Sequence, residues 1–312
     1  MLSIENNLLS GTLPPELGES PSLTALKVNQ NNLIGVLPSE LGQLTSLMTL
    51  YVNSNQFTGS LPTELEKLTS LTYLEVSDNR FTGSISSRLS QLTSLKVLRM
   101  WTNQFKGSLP SDLGLLTSLT DLELSDNQFT GTIPIEIGQL PLLNVLRLWT
   151  NQLNGPLPTE LGQLTSLTDL AVSDNQMTGP LPTEIGQLVQ LNFFGAFSNR
   201  FNGTLPSELG QLTELTKLYL DSNAFTGALP SELGKLTALV DLSVNDNEFT
   251  GTLPSWIGDM KALIFLWISD NNFSGSFPSK VANKVNLEEL CTKNNKFTGV
   301  VPADIETNYT CP

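Results

Sequence analysis

The 312-residue sequence contains no histidine and only two cysteines. Without histidine, neither a Ser-His-Asp triad nor a histidine-ligated metal site can form. The glycines follow a repeat and do not show the spacing of a phosphate-binding loop. Two acidic side chains that point outward from one strand, Asp121 and Glu123, should remain solvated. We therefore predict that the protein is not an enzyme and that it carries no metal or other cofactor.

Basic residues are also scarce, since 16 lysines and arginines stand against 30 aspartates and glutamates, for a net charge of −14. An acidic protein repels the phosphate backbone, so we expect no nucleic-acid partner. No stretch approaches the ~18 consecutive apolar residues that a membrane span requires. We therefore expect no membrane span in this segment.

The chain does contain one motif that repeats every 24 residues. Asparagine recurs at this interval, and a glycine follows each asparagine four residues later. The repeated residues, here called the ladder asparagines, are Asn7, Asn31, Asn55, Asn79, Asn103, Asn127, Asn151, Asn175, Asn199, Asn223, Asn247, Asn271 and Asn295. A fixed period of this length indicates a solenoid, in which each coil contacts only its neighbours. We predict an array of about thirteen coils over residues 1–300 and a C-terminal tail or cap over residues 301–312.

Each coil combines a strand pattern with a helix-start pattern. Leu26 and Val28 alternate with polar neighbours, which indicates a short strand, and equivalent strands of successive coils can pair only in parallel. Pro38, followed by a serine and Glu40, marks the extended entry to a short helical turn. We therefore predict an α/β solenoid that is curved, with a parallel β-sheet on its concave face and short helical turns on its convex face. Apolar residues hold seven positions of the second coil: Leu26, Val28, Leu33, Leu37, Leu41, Leu44 and Leu47.

The ladder asparagines and a column of phenylalanines should hold successive coils together. An asparagine amide at the turn after each strand can satisfy backbone groups that the sheet does not reach. We assign Asn103, Asn127, Asn151 and Asn175 this structural role, and we expect aspartate or alanine there to destabilise the fold. The phenylalanines at the position of Leu33 predict a packed spine of rings.

The consensus LxxLxLxxNxFTGxLPxxLGxLTS resembles the plant-type leucine-rich repeat, which occurs in the ectodomains of plant receptor-like kinases, in polygalacturonase-inhibiting proteins and in other photosynthetic eukaryotes such as diatoms. The resemblance implies a right-handed superhelix with mostly 3-10 turns on its convex face. It also implies recognition of a protein, peptide or glycan ligand on the concave face. The chain lacks the paired-cysteine N-terminal cap of that family. Its first residues, from Met1, already match a strand position without a signal peptide, so we expect it to be part of a longer protein.

The candidate binding residues point outward from the predicted sheet. Three positions per coil do so, those of Ala25, Lys27 and Asn29, and their equivalents do not follow the consensus. Charges alternate along the second of these positions from Glu75 to Arg147, which predicts cross-strand ion pairs. Exposed tryptophan, tyrosine and arginine dominate binding hot spots. We predict a ligand-binding patch formed by Arg99, Trp101, Arg147, Trp149, Phe193, Phe197 and Tyr219.

An alternative explains the tryptophans without binding. Residues 69–116 align closely with residues 117–164, so a duplication of two coils could have copied one tryptophan.

The aspartates that precede some ladder asparagines also have two possible interpretations. Asp246 and Asp270 lie in neighbouring coils and could share a calcium ion, but turn-stabilising hydrogen bonds are the simpler interpretation, and we predict no metal site.

The two cysteines and the glycosylation sequons are relevant to where the protein is located. We predict a disulfide between Cys291 and Cys311, which would add about 3 kcal/mol in the chain-entropy model, with free thiols as the alternative. Asn202, Asn272 and Asn308 begin glycosylation sequons. Together with the resemblance, these features favour an extracellular protein, either secreted or the ectodomain of a membrane protein.

Two other functions remain open at this stage. One threonine recurs in many coils, and rows of hydroxyls on a solenoid can order water, which suggests ice binding or surface adhesion. The row is interrupted at Ile34, Lys106, Asn154 and Asn202, which argues against this function. A purely structural scaffold is the third possibility. The threonines concerned are Thr58, Thr82, Thr130, Thr178, Thr226, Thr250 and Thr298.

Overall fold

The computed structural model of the protein describes residues 1–284 and 286–304. The chain forms two compact units, Met1–Leu153 and Asn154–Pro312. Each unit stacks copies of the same coil, and each coil contains a first strand, a second strand and a short helical turn. The predicted single array over residues 1–300 stays a prediction, and the two units are described separately below.

In each unit the first strands of successive coils form a parallel sheet, here called the primary sheet of that unit. Equivalent residues of successive coils are paired, as with Leu26, Leu50 and Leu74. In the first unit the strands are β1 (Leu2–Ser3), β3 (Ala25–Lys27), β5 (Thr49–Tyr51), β7 (Tyr73–Glu75), β9 (Val97–Arg99), β11 (Asp121–Glu123) and β13 (Val145–Arg147). In the second unit they are β15 (Asp169–Ala171), β17 (Phe193–Gly195), β19 (Lys217–Tyr219), β21 (Asp241–Ser243), β23 (Phe265–Trp267) and β25 (Glu289–Cys291). The predicted parallel pairing is confirmed.

A second strand follows each turn and ends at or near the repeated glycine. These strands also pair in parallel, but each residue meets the one 22 positions further on, as with Gly11 and Leu33. The glycine has a positive φ, 83° at Gly35, which glycine adopts without steric cost. The strands are β2 (Ser10–Gly11), β4 (Asn32–Gly35), β6 (Gln56–Gly59), β8 (Arg80–Gly83), β10 (Gln104–Ser108), β12 (Gln128–Gly131), β14 (Gln152–Gly155), β16 (Gln176–Gly179), β18 (Arg200–Gly203), β20 (Ala224–Gly227), β22 (Glu248–Phe249), β24 (Ser274–Ser276) and β26 (Lys296–Thr298).

The helical turns are 3-10 helices of five residues, as the resemblance predicted. Pro38 precedes one of them with φ −63° and ψ 137°, an extended entry that proline favours. Ser86 replaces proline in one coil, and its side chain accepts a hydrogen bond from Arg88 N at 3.2 Å instead. The 3-10 helices are Pro15–Glu19, Ser39–Gln43, Thr63–Lys67, Ser87–Gln91, Ser111–Leu115, Ile135–Gln139, Thr159–Gln163, Thr183–Gln187, Ser207–Gln211, Ser231–Lys235 and Ser255–Asp259, and one α-helix, α1, covers Ser279–Ala282.

The core lies between the strands and the helical turns, and it contains the predicted apolar positions. Leu26, Val28, Leu41, Leu44 and Leu47 have no exposed surface. The predicted phenylalanine spine is also confirmed, because neighbouring rings stack with centroids 6.0 to 6.3 Å apart. Burying each ring contributes roughly 1.5–3 kcal/mol. The rings are Phe57, Phe81, Phe105 and Phe129 in the first unit, and Phe201, Phe225, Phe249, Phe273 and Phe297 in the second.

The ladder asparagines bond as predicted. Asn127 Nδ2 donates to the carbonyls of Met100, Leu124 and Ser125 at 3.0 to 3.2 Å, and its Oδ1 accepts from Phe105 N at 3.0 Å. Each such side chain therefore satisfies backbone groups of its own coil and of the preceding coil. Asn103 and Asn151 repeat this pattern, and Asn175 donates to Val172 O and Ser173 O.

Candidate functional site

The outward positions of the primary sheet carry the candidate site. Each first strand of three residues presents its first and third residues away from the core, and the residue two positions later points the same way. On β9 these residues are Val97, Arg99 and Trp101, whereas Leu98 and Met100 between them are fully buried. Because side chains alternate along a strand, the variable residues lie on one face of the sheet, and the regularly spaced leucines lie on the other face, in the core.

In the first unit this face contains an open pocket of about 550 Å³, here called the tryptophan pocket. Four of the seven predicted site residues, Arg99, Trp101, Arg147 and Trp149, therefore come together. The pocket also includes acidic and hydroxyl side chains that the prediction did not name. Its lining residues are Glu75, Arg99, Trp101, Thr102, Glu123, Ser125, Arg147 and Trp149.

An ion-pair network crosses the floor of the tryptophan pocket. Arg99 Nε lies 2.8 Å from Glu123 Oε1, and Arg147 Nη1 lies 3.2 Å from Glu123 Oε2. Arg99 Nη2 also lies 3.3 Å from Asp121 Oδ1, and its Nη1 lies 4.0 Å from Glu75 Oε2. The cross-strand pairs predicted from the alternating charges are confirmed. The network fixes both guanidinium groups in position before any ligand arrives.

The expectation that Glu123 remains solvated is wrong. Glu123 is only 9% exposed, because the side chains of Arg99 and Arg147 lie on either side of it and bond to its two oxygens. Long arginine side chains cover neighbouring surface as well as supplying charge. Asp121, on the same strand, is partly exposed and pairs with Arg99.

The two indoles of the tryptophan pocket flank a serine whose hydroxyl is unsatisfied. Trp101 and Trp149 are two strands apart, which corresponds to roughly 9–10 Å along the sheet. Ser125 lies between them and is 1% exposed, and its Oγ has no hydrogen-bond partner among the described residues. The equivalent serines Ser77, Ser173 and Ser269 are also buried, and their hydroxyls likewise have no hydrogen-bond partner among the described residues. Beside Ser125, Thr102 Oγ1 donates to Asp126 Oδ2 at 2.7 Å.

Burial changes the ionisation of one carboxyl in the pocket. Loss of solvent raises the pKa of Glu75, the nearby Arg99 guanidinium opposes this rise, and the charge of Glu123 adds to it. The carboxylate of Glu75 is thus less well compensated than that of Glu123, since its contact with Arg99 is the longest in the network.

In the second unit a group of four aromatic rings, here called the aromatic cluster, lies on the outward face of that unit's primary sheet. It consists of Phe193, Tyr219, Phe265 and Trp267. The ring centroids of Phe193 and Tyr219 are 5.7 Å apart, those of Tyr219 and Trp267 are 6.3 Å apart, and those of Phe265 and Trp267 are 5.7 Å apart. Two predicted site residues, Phe193 and Tyr219, are therefore in contact.

The aromatic cluster differs from the predicted patch in its membership. Phe197 is partly exposed two residues beyond β17, and no ring contact joins it to the cluster within the described part of the chain. Phe265 and Trp267 belong to the cluster but were not predicted. Their positions on one face of β23 were visible in the sequence, and only the reach of the Tyr219 ring across β21 shows that they join it.

The remaining predicted positions lie apart from these two groups. Asn202 is exposed and Asn272 is partly buried, and Asn308 lies outside the described residues. Cys291 is a buried, disulfide-bonded residue at the end of β25. Its predicted partner, Cys311, lies outside the described residues, so that pairing and the use of the sequons stay predictions.

Across residues 1–284 and 286–304, no helix is long and apolar enough to cross a membrane. The same residues hold no group of three or more histidine, cysteine, aspartate or glutamate side chains placed to bind a metal ion.

Comparison with protein families identifies the repeat. A model described as a leucine-rich repeat region matches residues 2–127 and 106–225, and one described as a leucine-rich repeat matches residues 238–260. No curated protein matches the chain at a significant level.

Solved structures extend this likeness. The plant peptide hormone receptor RGFR1 in complex with RGF2 is 31% identical, with a TM-score of 0.89, over 95% of this chain and 51% of the receptor chain. PEPR1 with AtPEP1 is 34% identical, with a TM-score of 0.92, over 96% of this chain and 42% of that chain. A plant ice-binding protein is 29% identical, with a TM-score of 0.66, over 74% of each chain. The chain thus spans about half the length of the receptor structures that it matches.

Proposed function

The chain belongs to the leucine-rich repeat family, and on that premise we propose that it is a non-catalytic recognition module that binds a peptide segment on the outward face of its primary sheet. The observation that carries this proposal is the tryptophan pocket. Two indoles, two arginines held by ion pairs and an unsatisfied serine hydroxyl converge there. Aromatic and arginine side chains are the types that dominate binding energy at interfaces.

The relatives support the ligand class and the compartment. RGFR1 is a plant peptide hormone receptor whose structure contains RGF2, and the PEPR1 structure contains AtPEP1; these structures align with 95% and 96% of this chain. We infer by analogy that the ligand is a peptide or an exposed segment of a protein, and that the module acts outside the cell. The sequons at Asn202 and Asn272 are compatible with that location.

The arrangement of the acidic groups supports a role without catalysis. Both oxygens of Glu123 are engaged by arginines, so this carboxylate is not available as a general base. The absence of histidine from the sequence removes the commonest proton-transfer group.

Affinity selection followed by substitution tests the proposal. We expect a phage-displayed library of random dodecapeptides to yield ligands whose affinity for the protein falls by about 2 kcal/mol or more when Trp101 and Trp149 are both replaced by alanine. Trp256, in the 3-10 helix Ser255–Asp259, is a matched control whose replacement by alanine should leave the affinity unchanged. Selected peptides that bind the double variant as tightly as the original protein would refute the proposal, as would a failure to select any peptide.

Ice binding is the second candidate function, because one relative is a plant ice-binding protein. The threonine positions lie on the second strands, where Thr58, Thr130 and Thr178 are exposed. Ile34 and Lys106 in the first unit, and Asn154 and Asn202 in the second, interrupt these rows, and Ser274 separates Thr250 from Thr298, so no more than two threonines are consecutive. A thermal hysteresis assay distinguishes the candidates, since a peptide-recognition module should show no freezing-point depression beyond the colligative value.

A further inference from the structure

Two carboxylates hold the polar ends of the aromatic cluster. Tyr219 OH donates to Asp241 Oδ2 at 2.6 Å, and Trp267 Nε1 donates to Glu289 Oε2 at 3.1 Å. Asp241 is 4% exposed and Glu289 is 1% exposed. The acidic groups therefore fix the orientation of both rings and place negative charge at the edge of the cluster.

The charge of Asp241 is only partly compensated. Lys217 Nζ lies 3.2 Å from Asp241 Oδ2, the same oxygen that accepts from Tyr219. The other oxygen, Oδ1, is buried and has no hydrogen-bond partner among the described residues. A buried carboxylate oxygen without a donor is unfavourable, and a cationic N–H group is the partner that satisfies it best.

More negative charge surrounds the aromatic cluster. Asp221 follows Tyr219 by two residues on the same face, and burial raises its pKa, with further contributions from the charges of Asp174 and Asp246. At the outward positions of the second unit, acidic residues outnumber basic ones by four to two. Lys217 and Lys293, the two basic residues, are already paired with Asp241 and Asp304. The four acidic residues are Asp169, Asp221, Asp241 and Glu289.

We infer that the aromatic cluster is a binding site for an arginine side chain of a peptide ligand. Guanidinium groups stack on the faces of tryptophan and tyrosine, and they donate several hydrogen bonds to carboxylates at the same time. Tyr219 and Trp267 supply the ring faces, and Asp241 supplies the carboxylate. This inference rests on the proposed peptide-binding function and adds the charge of the ligand and a second contact site.

Lys217 acts as the internal competitor of the ligand. Its side chain is 48% exposed, so its ammonium group can leave Asp241 at little cost when a guanidinium group arrives. Removing the lysine charge should therefore strengthen arginine binding, whereas removing the aspartate charge should weaken it. A purely structural role for this ion pair would not produce opposite effects on the affinity of a ligand.

Fluorine NMR of the full chain, labelled with 5-fluorotryptophan, tests the inference. The sequence has four tryptophans, so each resonance can be assigned by single substitution. The probe is an acetylated and amidated glycine-serine decapeptide that carries two arginines. Its control is the same peptide with citrulline, which has the shape of arginine without its charge. We expect the arginine peptide to shift the Trp267 resonance with saturation, and the citrulline peptide to leave it unchanged.

Two substitutions sharpen this test. Asp241→Asn should weaken binding of the arginine peptide by about tenfold, since a buried charge pair is lost. Lys217→Met, which keeps an unbranched apolar stem, should strengthen it by a few-fold. Equal shifts with both peptides, or no shift of Trp267 with the arginine peptide, would overturn the inference. So would the same affinity in the original protein and in Lys217→Met.

The outcomes also separate this inference from the proposed function. Shifts of Trp101 and Trp149 without a shift of Trp267 would support peptide binding at the tryptophan pocket and overturn the arginine site. The arginine site would also be overturned, and the peptide-binding proposal supported, if the selected peptides lack arginine and lysine but their affinity still depends on Trp101 and Trp149.

Discussion

The residue immediately before each ladder asparagine adopts a left-handed backbone conformation. Within the described residues, φ at this position lies between 50° and 57° in every coil. Aspartate and asparagine tolerate this region better than other residues with side chains, which explains Asp78, Asp126 and Asp174 at this position. Thr102 and Thr150 occupy it as well, although a β-branched side chain is strained there.

Replacing Thr150 by asparagine should stabilise the protein. A left-handed conformation costs an ordinary residue on the order of 1–3 kcal/mol, and asparagine avoids part of this cost, so we expect a gain of about 1 kcal/mol. Urea denaturation of the two proteins measures the difference. Asp246→Asn is the matched control, because aspartate already tolerates the same conformation, and its effect should be near zero. A loss of stability in the Thr150 variant would contradict the explanation.

For individual residues, the sequence predicted the ion pairs better than it predicted the burial of side chains. The alternating signs of Glu75, Arg99, Glu123 and Arg147 led directly to the observed ion pairs. The burial of Glu123 was not predicted, because it depends on how far the neighbouring arginine side chains extend over it. The period of a repeat fixes which residues are adjacent, but it does not fix their rotamers.

The 3-10 helices stack closely because most of them contain a glycine at one position. A Cβ added at Gly114 would overlap with the carbonyl oxygen of Glu136 in the next coil. The same position is occupied by Glu66 in the third coil and by Ser90 in the fourth. The sequence predicted these turns from proline and the acidic residue that follows, but the close approach between coils requires coordinates.

Gly114→Ala should therefore destabilise the first unit. The added methyl group meets backbone atoms that cannot rotate away, and overpacking of this kind costs typically 1–3 kcal/mol. Chemical denaturation followed by far-ultraviolet circular dichroism gives the change in the free energy of unfolding. Ser90→Ala is the control, since that coil already accommodates a Cβ atom, and it should change the stability by less than about 0.5 kcal/mol. Equal effects of the two substitutions would show that the contact with Glu136 is unimportant.

For the whole molecule, nearly all of the coil architecture could be predicted from the 24-residue period. The core columns, the parallel strands and the asparagine bonds follow from this period because every coil repeats the same contacts. The variable face was less accessible to prediction. Ring contacts such as Tyr219 with Trp267 join residues two coils apart, and no consensus governs them.

The stability of the whole molecule should fall as the pH rises above the ordinary carboxyl pKa of about 4. Burial raises the pKa of Glu75, Asp174 and Asp221, so the folded chain holds protons that the unfolded chain releases. The resulting stabilisation is complete below the ordinary carboxyl pKa of about 4 and is lost as the pH rises through the raised values. The pKa values of Glu5 and Glu232 are lowered, so the titration of these two residues changes the stability only at a pH below the ordinary carboxyl pKa.

Urea denaturation at several pH values measures this dependence. Asp221→Asn removes one of the three groups with a raised pKa and should flatten the profile. Stability that increases with pH over this range would show that the buried carboxylates are compensated in the folded protein.

The hydrogen bonds of the ladder asparagines have a direction along the chain. Leu33 N donates to Asn55 Oδ1, and Asn55 Nδ2 donates back to Val28 O, so one coil is completed by a side chain from the coil that follows it. During synthesis, the last coil to leave the ribosome therefore has backbone amide and carbonyl groups that are not yet paired. We therefore expect each newly synthesised coil to complete the hydrogen bonds of its predecessor, so that the coils can dock in the order of their synthesis.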